Sequence, residues 1–167
     1  MRIDCRRGFT LIELLIVVLL IGILAALSAP FLIAAKSAAN ESSAVGSLKA
    51  VNSGQATFAS VCGNGGYTLQ LATLVTERFA SPDVDLSPKS GFTFLLAAGA
   101  GSAPGPLDCA AEPTRSGYYF TAEPISANTG RRGFATTQQG TIWQDSTGAL
   151  PAEPFTPGPD VGPLDTQ

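Results

Sequence analysis

The chain has 167 residues, of which 45% are hydrophobic, and 10 lysines and arginines stand against 13 acidic residues. The formal net charge of −3 argues against broad nucleic-acid binding, which depends on basic side chains that displace counterions from phosphates. The length suits one domain with an anchor, and the sequence contains no histidine, the commonest general acid or base. We therefore expect no enzymatic activity, no cofactor and no nucleic-acid partner.

The first predicted element is an apolar run that begins at Phe9 and reaches Ile33, with Glu13 as its only charged residue. A helix of this length rises about 38 Å, which exceeds the ~30 Å hydrocarbon thickness of a bilayer. Three arginines precede the run and only Lys36 follows it closely, so the positive-inside bias predicts a head outside the cytoplasm. An unpartnered carboxylate at the bilayer centre costs about 2.5 to 3.5 kcal/mol, so Glu13 predicts a contact with a positive group.

A short basic leader and the string Gly8-Phe9-Thr10-Leu11-Ile12-Glu13 open this apolar helix. The arrangement resembles the processing site of type IV prepilins and of the related pseudopilins of type II secretion systems. The resemblance implies cleavage between Gly8 and Phe9 by a prepilin peptidase, methylation of Phe9, and polymerisation through the helix. The glycine also suits a protease cleft, because no side chain limits the approach of the backbone.

The resemblance implies four kinds of partner: the prepilin peptidase/methyltransferase, identical or related subunits, the inner-membrane assembly machinery and, before assembly, membrane lipid. After cleavage, the ammonium group of Phe9 lies four residues from Glu13, and its own chain or a staggered neighbour can supply it. Geometry favours the neighbour, whose terminus can lie level with the carboxylate inside a low-dielectric bundle. Gly22 and Pro30 interrupt the membrane half of the helix and predict a bend there.

Two other interpretations of the apolar run remain. An ordinary secretory signal cut after Ala29 fits poorly, because the run exceeds the roughly 7 to 15 residues of such a segment and Pro30 would follow the cut. A single-pass anchor is physically allowed, with Glu13 reaching the membrane surface from the start of the helix.

Beyond Ala34 the helical pattern becomes amphipathic and continues to Cys62. A stripe predicted to face the head recurs at intervals of three and four residues, and it consists of Ala44, Leu48, Val51, Gln55, Phe58 and Cys62. The opposite side carries Ser42, Lys49, Ser53 and Ser60. The helix is predicted to end at 63–66, where glycine and asparagine can adopt the left-handed conformation that caps a helix.

The head is predicted to contain a short helix, a four-stranded antiparallel sheet and a tail. The helix is expected over 68–79, and the strands over 91–98, 117–125, 132–137 and 141–145. Loops are expected over 81–90 and 99–115, and proline and glycine predict a tail or surface wrap without regular structure from Ala149 onward. Aromatic side chains are expected on the sheet face that packs against the helix: Tyr118, Phe120, Phe134 and Trp143.

Of the three cysteines, Cys5 leaves with the leader, which leaves Cys62 and Cys109 in an extracytoplasmic part of the chain. That compartment permits a disulfide between them, although two separate buried thiols are the alternative.

Acidic side chains offer candidate Ca²⁺ ligands at Asp83 and Asp85, and at Asp145 before the turn that follows it. Each group is too small for a site of roughly 6 to 8 oxygens, so ordinary turns and no metal are predicted. The pair Arg131–Arg132, flanked by glycines, predicts a solvated turn.

Together these features predict an α+β, type IV pilin-like fold with a long N-terminal helix on a small antiparallel sheet. The predicted segments are a leader at 1–8, a membrane and assembly half of the helix at 9–35, an amphipathic half at 36–62, a head at 63–148 and a tail at 149–167. The predicted function is a pilus subunit, located first in the inner membrane and then in a surface fibre. The alternatives are a pseudopilin in a periplasmic pseudopilus and, from another class, an anchored binding module that does not polymerise.

Overall fold

The computed structural model of the protein describes residues 9–164, with the backbone alone at Ala29. The leader, including Gly8, and the last three residues lie outside the described residues. The chain forms two compact units that divide between Ala35 and Lys36.

The first element is one α-helix, α1, which runs over Leu11–Val61 without interruption. It ends where predicted, because Asn64 and Gly65 adopt positive φ values of 51° and 90° and Gly65 N–H bonds back to the Ala59 carbonyl at 2.8 Å. In the second unit, the entire predicted stripe of α1 is buried and the four residues predicted opposite it are exposed. The α+β fold is therefore confirmed, with the amphipathic part of α1 packed on an antiparallel sheet.

The head contains seven strands among the described residues: β1 Phe92–Ala98, β2 Pro104–Leu107, β3 Pro113–Arg115, β4 Tyr118–Pro124, β5 Gly133–Thr137, β6 Ile142–Asp145 and β7 Val161–Pro163. Five of them form a sheet in the order β1-β4-β5-β6-β7, in which all neighbours are antiparallel. A separate two-stranded hairpin is formed by β2 and β3. A short helix, α2 (Leu71–Thr76), and a 3-10 turn at Pro82–Asp85 lie between α1 and β1.

The main core lies between α1 and one face of this sheet. Side chains alternate along each strand, so Tyr118 and Phe120 of β4 and Phe134 of β5 point to the helix, where each is at most 2% exposed. Polar bonds cross the same interface: Asn52 Nδ2 donates to Thr136 Oγ1 at 2.9 Å, and Tyr118 OH donates to Asn52 Oδ1 at 2.9 Å. Burial raises the pKa of the Tyr118 phenol above its ordinary range, which keeps it a neutral donor.

The second face of the sheet is also covered in part, and this overturns two predictions. Trp143 lies on that face rather than in the core, and its ring stacks on Phe155 with centroids 5.3 Å apart. Phe155 also contacts Tyr119, with ring centroids 6.2 Å apart, and Tyr119 OH donates to the Pro151 carbonyl. The segment after Ala149 was wrongly predicted to lack regular structure: it covers this face and then forms β7 at the sheet edge, where proline is tolerated.

Two other local predictions need correction. The helix predicted over 68–79 is only α2, because Thr68 instead bonds through both its N–H and its carbonyl to the buried side chain of Gln55. The loop predicted over 99–115 contains the β2–β3 hairpin, which is extended to a third segment by paired backbone bonds between Tyr67 and Arg115 at 2.8 and 2.9 Å. The predicted 81–90 loop contains the 3-10 turn.

Candidate processing and assembly segment

The predicted functional residues at the start of α1 lie in the first two turns of chain that the structure describes. Phe9 and Thr10 are not helical, and Leu11 is the first helical residue. Thr10 therefore occupies the N-cap position and Glu13 the third helical position, the spacing of a capping box. This role of Thr10 is not among the predictions made above, although the signal, Thr followed three residues later by Glu, is visible in the sequence.

Thr10 makes two contacts with Glu13. Its hydroxyl accepts from the Glu13 N–H at 3.3 Å and donates to the Glu13 carboxylate at 3.4 Å. The second distance is long for a hydroxyl–carboxylate bond, which usually spans about 2.5 to 2.7 Å. The cap thus fixes where the helix begins, and among residues 9–164 the exposed carboxylate has no other side-chain partner.

Side chains in the apolar half of α1 are exposed wherever the structure describes them. The side chains described between Phe9 and Lys36 are all exposed, and the fractions are 78% for Phe9, 63% for Leu24 and 77% for Phe31. Among the described residues, α1 is the one helix long and apolar enough to cross a membrane, and none of its most apolar stretch is buried. A continuous apolar surface of this size needs lipid or another protein to cover it.

Polar groups within this half differ in whether a hydrogen bond inside the helix satisfies them. Ser28 is satisfied internally, because its hydroxyl donates to the Leu24 carbonyl at 2.8 Å. Pro30 has no N–H, so it leaves the carbonyl of Ala26 without the bond that a helix normally supplies. The helix continues through both Gly22 and Pro30, and the bend predicted at these positions stays a prediction.

Cys62 and Cys109 form a disulfide across a sequence separation of 47 residues. Backbone bonds reinforce the link, since Cys109 N–H donates to the Cys62 carbonyl at 2.9 Å and Asn64 donates to the Leu107 carbonyl at 2.8 Å. The disulfide ties the end of α1 to the β2–β3 hairpin.

Two of the carboxylates considered above as calcium ligands, those of Asp83 and Asp145, have hydrogen-bond partners within the chain. Asp83 bonds to Lys89, and this hydrogen bond holds the pKa of Asp83 below its ordinary value. Asp145 accepts from Thr147 in its own turn, at 2.8 Å from the backbone and 2.6 Å from the hydroxyl. Among residues 9–164, no group of three or more potential ligands is close enough together to hold a metal ion.

The predicted solvated arginine turn is wrong for Arg132. Its guanidinium pairs with the buried carboxylate of Glu41 at 2.7 Å, and the same carboxylate accepts the Arg131 N–H at 2.7 Å. Glu41 precedes Ala44 by three residues and so continues the buried stripe of α1 by one turn. That spacing was the available signal, and the charge of the side chain concealed it.

Comparison with known families adds one finding to this geometry. Residues 3–29 match the model of the prokaryotic N-terminal methylation motif, which supports the type IV prepilin or pseudopilin motif recognised in the sequence. This motif is the recognition site of prepilin peptidase and implies processing by that enzyme. The chain has no significant match among curated proteins or among solved structures. The motif and the apolar helix together indicate a membrane-anchored protein.

Proposed function

We propose that this chain is a prepilin that is cut between Gly8 and Phe9, methylated at Phe9 and polymerised through α1 into a type IV pilus-like fibre. The observation that carries the proposal is the methylation motif placed directly before an apolar helix with uncovered side chains. The remaining steps concern the bond to be cut, the carboxylate and the apolar surface.

The non-helical backbone before Leu11 supports cleavage at the proposed bond. Proteases bind extended chain, and the Thr10 cap holds the first helical residue two positions beyond Phe9. Gly8 belongs to the matched motif and lies outside the described residues. The new terminus would carry its ammonium group within one helical turn of Glu13.

The incomplete bonding of Glu13 supports assembly. In a lipid or protein interior the carboxylate needs a stronger partner than a neutral hydroxyl at 3.4 Å. The Phe9 ammonium of a staggered neighbouring copy supplies the opposite charge at that depth. The exposed apolar side chains between Phe9 and Lys36 would be covered by lipid before assembly and by neighbouring helices afterwards.

Intact mass measurement of the protein from its native membrane tests the processing step. The proposal expects loss of Met1 to Gly8 and the addition of one methyl group. A plain anchor or binding module would keep its leader, and a purified protein that still begins at Met1 would rule out the proposal. Co-purification with sheared surface filaments, rather than with a periplasmic secretion complex, tests the choice of pilus over pseudopilus.

Replacement of Glu13 tests assembly separately from processing. Glu13→Val should leave cleavage intact, because the cut bond lies five residues earlier, and should impair filament formation. Thr10→Ser retains the cap and serves as the matched control, with normal filaments expected. Filaments of normal yield from Glu13→Val would exclude the proposed role of the carboxylate.

A further inference from the structure

The loop between β4 and β5, residues 125–132, is attached to the beginning of the head's helix. Asn40 Nδ2 donates to the Thr129 carbonyl at 2.9 Å, and Glu41 accepts the Arg131 N–H at 2.7 Å. Lys36 precedes Glu41 by five residues, about 8 Å of helix at 1.5 Å per residue. Because Lys36 is the first residue of the second unit, this loop lies at the end of the head where α1 enters it.

The loop combines an exposed apolar side chain with an exposed cation. Ile125 is 57% exposed, and Arg131 is exposed with no ion pair in the described part of the chain. This differs from the adjacent Arg132, whose charge is neutralised by Glu41. An exposed apolar side chain and an exposed guanidinium in one loop are the combination that favours the interface between lipid headgroups and acyl chains.

A cavity of about 390 Å³ opens beside Arg131, between this loop and the turn that follows β6. Arg131, Ser126, Ser146 and Thr147 are among its lining residues, and the hydroxyls of Ser146 and Thr147 donate to the carboxylates of Asp160 and Asp145. A guanidinium presents several N–H donors in a planar fork and binds phosphate oxygens in pairs. The donor that the cavity offers to a phosphate group is therefore the Arg131 guanidinium.

Two acidic side chains limit how far this anion site extends. Asp160 accepts from Ser146 at 3.0 Å and so lies at one side of the cavity. Glu123 is exposed, but it alternates with Ala122 and Pro124 and belongs to the opposite face of β4. Asp145 accepts from Thr147 on the cavity wall, so Asp145 and Asp160 are the acidic groups whose charges oppose an anion beside Arg131.

We propose that residues 125–131, which we name the collar loop, bind the phosphate of an anionic phospholipid at the membrane surface. Arg131 contacts the phosphate, Lys36 adds a second positive charge, and Ile125 contacts the interfacial part of the lipid. The proposal rests on the membrane-anchoring part of the proposed function, and it requires neither cleavage nor polymerisation.

The test uses the full chain with Cys5→Ser and Asn128→Cys, labelled at the introduced thiol with an environment-sensitive fluorophore and inserted in lipid nanodiscs. Nanodiscs of phosphatidylcholine alone are compared with nanodiscs of phosphatidylcholine and phosphatidylglycerol at an equal molar ratio. The collar loop should report a less polar environment only in the anionic nanodiscs, and high salt should reverse the change. Equal signals in the two lipids would overturn the proposal.

Matched variants identify the residues responsible. Arg131→Gln should lower the docking equilibrium constant about fivefold, the effect expected of one cation near an anionic membrane, and Asp160→Asn should raise it. Arg78→Gln removes an equally exposed arginine near the Gly54 level of α1 and should change nothing. An equal loss in Arg78→Gln would indicate a general charge effect and would contradict a site at Arg131.

Two further observations separate the sources of failure. Inorganic phosphate added to phosphatidylcholine nanodiscs should leave the fluorescence unchanged, and a response to it would indicate a free-anion site in place of a lipid site. A chain that fails to co-elute with nanodiscs is not membrane-anchored, and that result would remove the proposed function itself. A chain that co-elutes and shows no lipid dependence overturns the collar-loop proposal alone.

Discussion

The two parts of α1 are both α-helical, but they differ in how far the rest of the chain buries their side chains. Between Leu11 and Ala35 the helix presents large aliphatic side chains on every side, and the chain covers none of those described. Between Lys36 and Val61 one stripe is buried to a few per cent exposure and the other side is polar. The contrast teaches that the second part is stabilised by its own head, whereas the first is built for surroundings that the single chain does not provide.

The two glutamates of α1 repeat this contrast. Glu41 is buried in the head and is satisfied within the chain by the guanidinium of Arg132 and two backbone N–H groups. Glu13 is exposed, and the one side chain that bonds to it in the described residues is Thr10. One carboxylate completes a fold, and the other is left available for a partner.

The largest expected effect comes from truncating one large apolar side chain in each part of the comparison. Phe58→Ala removes a fully buried ring that packs edge-on against Phe79 at 5.7 Å, and it should cost about 3 to 5 kcal/mol of head stability. Leu24→Ala, in the uncovered part, should leave the unfolding of the head unchanged. Denaturant titration in detergent, followed by the fluorescence of the single tryptophan, measures both, and a similar loss in the two variants would contradict the division.

The disulfide provides the next largest effect. Removing the Cys62–Cys109 bond with the double Cys→Ser variant should lower the free energy of unfolding by at most about 4 kcal/mol, the chain-entropy value for a loop of this length. Cys5→Ser is the control and should have no effect, because Cys5 belongs to the leader. The same titration under oxidising and reducing conditions measures the difference, and identical curves would show that the hairpin is held by its backbone bonds alone.

Periodicity in the sequence predicted the elements in which apolar residues repeat at a regular spacing. The stripe from Ala44 to Cys62 and the four main strands follow from spacing, because a helix or strand with one covered face must repeat its apolar residues. The β2–β3 hairpin is rich in proline and glycine, and its order comes from distant partners, the Tyr67–Arg115 pairing and the disulfide. No local pattern reveals such a partner.

Errors in the predicted sheet and site have a related cause. Alternation assigns residues to two faces but does not tell which face is covered, so Trp143 was assigned to the core although Phe155 covers it from the opposite side. The charge of Glu41 made a buried position look exposed, and the predicted arginine turn failed for the same reason. At the start of α1, the motif provides the candidate residues, whereas the contacts proposed for Glu13 would be made with molecules beyond this chain.

A smaller effect should come from neutralising Glu41. Glu41→Gln keeps the shape of the side chain but loses the charge that binds Arg132 and the backbone of the collar loop, so the head should lose about 1 to 3 kcal/mol. Glu13→Gln is the matched control in the uncovered part and should leave head unfolding unchanged. Denaturant titration of both variants measures the contrast, which an equal response of the two glutamates would contradict.

The smallest effect should come from Asp83 at the surface of the head. Its hydrogen bond with Lys89 lowers the pKa of the carboxyl, so the pair stabilises the fold above the ordinary pKa of 3.8 and this contribution disappears as the pH falls through the lowered value. Asp83→Asn should therefore cost less than about 1 kcal/mol at neutral pH, as is usual for exposed pairs, and nothing in strong acid.

Asp85→Asn removes an exposed neighbouring charge that has no ion pair among residues 9–164 and should cost nothing at either pH. Unfolding free energies of the three proteins at both pH values provide the measurement. A cost for Asp83→Asn that persists in acid would show that the 3-10 turn depends on the shape of the side chain and not on its charge.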